Sequence, residues 1–213
     1  MAVELVVFDC DGVILESLEI KTLAFRRLGE DYGPEAALRL EDYHRLHGGL
    51  SRYKKFAWFF REVLGREISP AEEESLNAKF VRLSGEELLR CPLVPGARES
   101  LDSLFGRLPL YVASGTPEEE LGFILEKRGL AAYFVKICGS PPLKEDILRS
   151  IVDESGTRAE NCLMVGDAET DRAAAAKVGT MFYGRGAYFR DLGCPWHQDM
   201  TRLAGWIESL NRS

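Results

Sequence analysis

Little in this 213-residue chain speaks for soft-metal or disulfide chemistry. Its five cysteines, Cys10, Cys91, Cys138, Cys162 and Cys194, are odd in number and scattered, with no C-x-x-C pair. That pattern argues against a zinc site or a disulfide framework and for reduced, buried thiols. Histidine is scarce too. Two of the three, His44 and His47, have a spacing that favours one helical face less than four residues would, and no further His or Cys ligand lies nearby. Long apolar runs are also missing: nothing approaches the ~18 residues a membrane span needs, and Glu4 and Asp9 interrupt the stretch that a signal peptide would keep apolar. We therefore expect a soluble, cytoplasmic protein, with no membrane partner. Positive charge is in deficit, 27 Lys+Arg against 34 Asp+Glu for a net charge of -7. Neither nucleic acid nor an anionic membrane is then an expected partner, because both reward a basic face. An anionic substrate would have to be drawn by local cations.

What is present is an ordinary globular composition, 46% hydrophobic, in a length that suits one large or two small domains. Its oligomeric state is left between monomer and homodimer. Residues 3–8 (VELVVF) form a short, mostly β-branched run that reads as a buried strand, and similar runs recur at 108–113, 134–138 and 162–165. Helical segments separate the later runs, so the fold class is α/β, a parallel sheet covered on both faces. Between about Ser17 and Cys91 no strand is evident and the pattern is helical. This predicts an inserted helical domain over 17–91, with 1–16 and 92–213 forming the α/β core.

Within the insert, "SRYKKFAWFFREVLG" places Phe56, Phe59, Phe60, Val63 and Leu64 on one helical face, with Ser51 as N-cap and Gly65 as the stop. In the next helix Ser69 caps, Pro70 takes the first position and Glu72 completes a capping box, after which Leu76, Phe80 and Leu83 continue the stripe. These aromatics read as the core of a helical bundle. "CPLVPGA" at 91–97 is where the chain leaves the insert.

Four segments carry chemistry. "VVFDCDG" puts Asp9 and Asp11 one residue apart where an apolar strand stops, at the edge where open α/β sheets bind ligands. Two like charges so close call for a cation, and Mg²⁺ favours carboxylate oxygens with waters and phosphate. The following Gly12 lets the chain turn sharply away. In "LYVASGTPEEE", Thr116 reads as an N-cap, Pro117 as the first helical residue and Glu119 as the capping-box partner. Ser114 and Gly115 would then sit at a helix N-terminus able to bind phosphate. Lys144 opens a helix, against the sense of the helix dipole, as a functional residue would. "CLMVGDAETD" is a second apolar strand running into carboxylates, Asp167 and Asp171.

These pieces in this order, DxDG, Ser-Gly-Thr, a lysine and GDxxxD, resemble the haloacid dehalogenase superfamily, and the resemblance spans nearly the whole chain. The insert after the first motif is similar to the subgroup of phosphoglycolate phosphatases and β-phosphoglucomutases, whose helical cap closes over a Rossmann-like core. The commonest first motif has Thr and Asp where this chain has Val13 and Glu16. Val13 supplies no hydroxyl, and Glu16 bears on the cap hinge. The resemblance implies an Mg²⁺-dependent phosphatase of small phosphorylated metabolites. In it, Asp9 is the nucleophile that forms an aspartyl-phosphate, and Asp11 is the general acid and base. Asp9, the Asp11 carbonyl and Asp167 hold the metal, with Asp171 behind them orienting metal-bound water or Lys144. Ser114, Gly115 and Lys144 hold the phosphoryl oxygens. Asp11 matters for the reaction class, because the superfamily's dehalogenases lack it.

Other readings are weaker. Cys10 is not followed six residues on by the arginine of cysteine phosphatases, since Glu16 stands there. "YGRGAYF" lacks the rest of a nucleotide loop and reads as a loop after the last core strand. Arg52, Lys54 and Lys55 can reach over the site, and Arg52 is the expected substrate contact from the cap. The alternatives are phosphomutase or phosphonatase-like chemistry, and a silent binding module, whose signature would be loss of Asp9 or Lys144.

Overall fold

The computed structural model describes residues 2–212. In chain order the elements are β1 (Leu5–Phe8), α1 (Leu18–Gly29), α2 (Pro34–Leu46), α3 (Arg52–Trp58), α4 (Pro70–Leu88), α5 (Ala97–Leu104) and β2 (Leu110–Pro117). There follow α6 (Glu118–Lys127), β3 (Lys136–Ser140), α7 (Lys144–Ser155), β4 (Cys162–Gly166), α8 (Glu169–Val178), β5 (Met181–Arg185), β6 (Trp196–His197) and α9 (Leu203–Arg212). All strands run parallel in one six-stranded sheet of order β3-β2-β1-β4-β5-β6. The strand order reverses beside β1, so the carboxyl ends of β1, β2 and β4 face one crevice.

Why these runs are strands follows from their burial. All four residues of β1 are buried, which only a sheet covered on both faces permits. Val6 and Phe8 point to one layer, where they meet Leu101, Leu125, Leu203 and Ile207. Leu5 and Val7 point to the other, against Ile147, Leu148, Ile151 and Ala175.

The four helices between β1 and α5 bury a separate cluster, in which Phe25, Phe56, Phe59, Phe60 and Phe80 pack with Leu28, Leu40 and Leu76. Their chemistry matches the sequence pattern at α4: Ser69 Oγ accepts from the Glu72 N–H, and the Glu72 carboxylate accepts from the Ser69 N–H. Ser51 occupies the N-cap position of α3 without a side-chain bond. A π-helical turn, Phe59–Val63, extends α3 to a left-handed Gly65 at φ +69°. The insert is therefore a helical cap on an α/β core.

Two expectations are corrected. "YGRGAYF" is not a loop after the last core strand: Met181–Arg185 pairs in parallel with β4, and β6 adds to it. Gly184 within a five-residue run masked the strand signal, since glycine weakens isolated strands. Secondly, β2 begins at Leu110 and continues through Pro117, and α6 starts only at Glu118. Thr116 is thus no N-cap. The residue before a proline is pushed out of the helical region, and Pro117 itself is extended, with ψ 136°. β1, β3 and β4 lie within two residues of their expected limits, and β6 was not expected.

Candidate active site

Asp9 follows β1 directly and is buried, its Oδ1 accepting from the Cys10 N–H at 2.7 Å and its Oδ2 lying 2.9 Å from Lys144 Nζ. Lys144 also pairs with Asp171, which is wholly buried and turns its other oxygen to the Ala168 N–H at 3.0 Å. A cation at the first turn of α7 opposes the helix dipole, and these two carboxylates offset that cost. Burial alone lowers the Lys144 ammonium, but Asp171 and Asp9 outweigh it and raise its pKa.

Asp167 joins this group. Carboxylate oxygens of Asp9, Asp167 and Asp171 lie within 4.8 Å of one another. Burial first, then the neighbouring carboxylates against the opposing pull of Lys144, push Asp9 up to about 7. Burial together with Asp9 and Asp171 drives Asp167 well above the carboxylate range. One ammonium does not balance three carboxylates, and the hard oxygen donors fit a small divalent cation. Gly12 makes the approach possible: at φ +72° it is left-handed, and a Cβ there would fall 2.4 Å from Asp167 Oδ2.

Asp11, two residues from Asp9, lives in a different pairing. It accepts from Lys21 Nζ at 2.5 Å, Ser17 Oγ at 2.6 Å and Thr116 Oγ1 at 2.9 Å, and Lys21 also donates to Thr116 at 2.7 Å. Burial would raise its pKa. The Lys21 charge and the three hydrogen bonds win, holding it below the usual carboxylate range. The motif's two aspartates therefore sit in opposite electrostatic states, one raised and one lowered.

Ser114 is buried with its Oγ accepting from the Thr116 N–H at 3.1 Å. Gly115 lies under the cap, where a Cβ would fall 2.3 Å from the Gly49 carbonyl oxygen. Neither residue sits at a helix N-terminus, because β2 carries them both. Thr170 Oγ1 donates to the Gly48 carbonyl at 2.7 Å, a second cap-to-core contact.

Asp9, Asp11, Asp167, Ser114 and Gly115 border one cavity of about 490 Å³, roofed by the cap. Lys144 reaches Asp9 from an adjoining recess. Arg52 also lines the cavity but is tied, its guanidinium donating to Glu120 at 2.6 Å and Asn77 at 3.2 Å and lying 4.3 Å from the Phe80 ring centre. Lys54 is exposed, and Lys55 is buried with Nζ 2.8 Å from His44 Nδ1. His44 and His47 do not converge: the His47 ring contacts the Tyr43 carbonyl at 2.9 Å. Cys10 is buried, and burial pushes its thiol well up, away from nucleophilic use.

Sequence reading missed Lys21 and the pairing of Lys55 with His44, and misplaced Thr116. A signal existed for Lys21, which recurs with Ser17, Ala24, Phe25 and Leu28 at helical spacing and so belongs to the buried face of α1.

A doubly covered parallel sheet, acidic strand ends that call for a cation, and a helical roof define a capped α/β enzyme of hydrolase type. The family of haloacid dehalogenase-like hydrolases has a model that matches residues 3–179. The chain belongs to that family. Among its curated relatives are a phosphoglycolate phosphatase of Rhodospirillum rubrum, 32% identical over 84% of this chain and 79% of the relative, and a 5'-nucleotidase of Pseudomonas aeruginosa, 30% identical over 86% and 83%. The crystal structure of a β-phosphoglucomutase from Clostridium difficile superposes with a TM-score of 0.81 over 99% of this chain and 97% of the other, a likeness of fold at 16% identity. No helix among the described residues is long and apolar enough to cross a membrane.

Proposed function

We propose that this phosphatase hydrolyses small phosphate monoesters through a phosphoaspartate on Asp9. The observation that carries the reading is the division between the two aspartates: Asp9 belongs to Lys144 and the acidic cluster, Asp11 to Lys21 and the hydroxyls of Ser17 and Thr116. Groups held in such different environments suit different jobs.

An Asp9 carboxylate oxygen attacks phosphorus, the bond to the leaving oxygen breaks, and Asp11 delivers a proton to that oxygen. Lys21 and the two hydroxyls hold the Asp11 carboxylate in place; the proton it delivers is taken up with the substrate, and the second half returns one to it from water. In the second half Asp11 takes a proton from water as water attacks phosphorus, and Asp9 is released. Ser114, Gly115 and Lys144 hold the phosphoryl oxygens as charge develops. Mg²⁺ fits the carboxylates of Asp9 and Asp167 with the Asp11 carbonyl, and when bound it offsets the repulsion between carboxylate and phosphate. Asp171 positions Lys144.

We divide the chain into a core of 1–16 and 92–213 and a cap of 17–91. The support is Leu15, which bridges to both Asp11 and Leu93, so that both crossings lie side by side. Hydrogen exchange whose protection did not change near 16–17 and 91–92 would speak against it. We place the enzyme in the cytoplasm, an assignment that secretion of the natural protein would refute.

The test of function is turnover of p-nitrophenyl phosphate with chelator and Mg²⁺, together with intact-mass trapping of a phosphorylated enzyme. Activity that vanishes with chelator and returns with Mg²⁺, with the adduct mapped to Asp9, is expected. An adduct on another residue defeats the mechanism, and an isomerised hexose phosphate in place of free phosphate makes the enzyme a mutase.

A further inference from the structure

Three buried cations line the cavity, Lys21, Arg52 and Lys55, and they differ in what answers their charge. Lys21 has Asp11 at 2.5 Å. Arg52 has Glu120 at 2.6 Å. Lys55 has no carboxylate at ion-pair distance among the described residues: its Nζ lies 2.8 Å from His44 Nδ1 and 5.2 Å from the centre of the Phe25 ring. His44 in turn stacks on Phe25, centroids 4.4 Å apart at 28°. Burial, with the Lys55 charge beside it, keeps this imidazole neutral, pushed down to about 2. Lys55 is thus cradled by two neutral acceptors, a ring nitrogen and a ring face.

A buried ammonium without a counter-charge is costly, and here the missing charge has a place to enter. Burial first, then Lys21, with Lys144 and Arg52 behind it, outweigh the pull of the more distant Asp11 carboxylate and press Lys55 down to about 7. The neutral cradle fixes the position of Nζ without competing for its charge. Ser114, Gly115 and Lys144 belong to the core and serve the scissile phosphate, whereas Lys55 stands on the cap helix α3, so the charge that answers Lys55 belongs to another part of the substrate. A cavity of about 490 Å³ has room for a small molecule with an anion at each end.

The geometry points to Lys55, held by His44, as the cap residue that reads a second anionic group, a carboxylate or a second phosphate, on the leaving portion of the substrate. This rests on the phosphatase reading and replaces Arg52, which is already neutralised, as the substrate-reading cation of the cap.

Three small phosphate esters test it: ethyl phosphate, 2-phosphoglycolate and propane-1,3-diyl bisphosphate, with p-nitrophenyl phosphate as a reporter. The wild type is expected to prefer one or both acidic substrates over ethyl phosphate by about tenfold or more in kcat/KM, as one added charge-assisted contact provides. Which of the two is preferred tells carboxylate from phosphate. In Lys55→Met that preference falls by about tenfold or more, through KM rather than kcat, while Lys55→Arg keeps it. A loss equal for acidic and neutral substrates, or carried by kcat, makes Lys55 a packing residue and overturns the proposal. So does a wild type that hydrolyses p-nitrophenyl phosphate with no preference for acidic monoesters, a result that leaves the phosphatase reading standing. Failure to hydrolyse any monoester removes both.

Discussion

The sheet edge and the interior of the cap bury charge in opposite ways. At the strand ends every buried cation has an acid: Lys144 has Asp9 and Asp171, and Lys21, reaching down from α1, has Asp11. Inside the cap, Lys55 leans on a neutral imidazole and a phenyl face. A paired site holds its geometry in any state of the enzyme, whereas an unpaired one is completed by what arrives. The difference matches the roles we propose, in which the sheet edge provides the reaction and the roof chooses the compound. Arg52 qualifies this, since it is a cap cation that pairs with Glu120 of the core and so joins the two halves.

The contrast can be broken most decisively at Asp9. Asp9→Asn is expected to keep its fold and to lose turnover of p-nitrophenyl phosphate by at least about 10³-fold, the scale on which removal of a covalent nucleophile is read. Near-normal turnover in that variant would reduce the strand-end acids to a structural cluster. Asp11→Asn comes next, with a loss of about 10²–10⁴-fold typical of a missing acid–base group. If stopped-flow showed Asp11→Asn at full speed in both half-reactions, Lys21 and its hydroxyl partners would be holding an idle carboxylate.

On the cap side the effect is on stability and pH. His44 titrates at about 2 in the folded chain against an ordinary 6.5, so the folded state binds fewer protons than the unfolded one between those values. Its contribution is then whole above pH 6.5 and drains away as pH falls toward 2. Thermal melts at pH 7.5 and 5 should show a larger drop for the wild type than for His44→Gln. Equal drops in both proteins would mean that the imidazole is not held neutral. The smallest effect belongs to Ser69→Ala, which removes an exposed capping box at a cost of about 0.5–2 kcal/mol, read as a small shift in the urea midpoint. A shift well beyond that range would show the capping box tied into the packed cap.

Much of the acidic sheet edge was legible because its signals are local. An apolar run that stops at a carboxylate marks a strand end, and β1 and β4 both do so, at Asp9 and Asp167. Lys144, at a helix start against the dipole, stands out only in company with the other three motifs, because a lone lysine there is ordinarily solvated. Thr116 was misread as a cap because Ser-Gly-Thr-Pro-Glu satisfies the capping pattern locally, while tertiary contact with Asp11 and Lys21 claimed the hydroxyl. β5 was hidden by Gly184 and Gly186, which read as loop residues until β4 supplies a partner. The Lys55–His44 pair could not be read at all. It joins α3 to α2 across the cap interior, and no local pattern tells a lysine turned inward from one in water.

The contact at Gly115 has a further consequence. Cap and core meet there backbone to backbone, the Gly49 carbonyl occupying the place where any side chain at 115 would begin. The seam tolerates less than one methyl group. Anyone grafting a foreign lid onto this scaffold to change what it accepts would have to transplant the 48–50 loop with it, because new walls are useful only if the roof can still be seated.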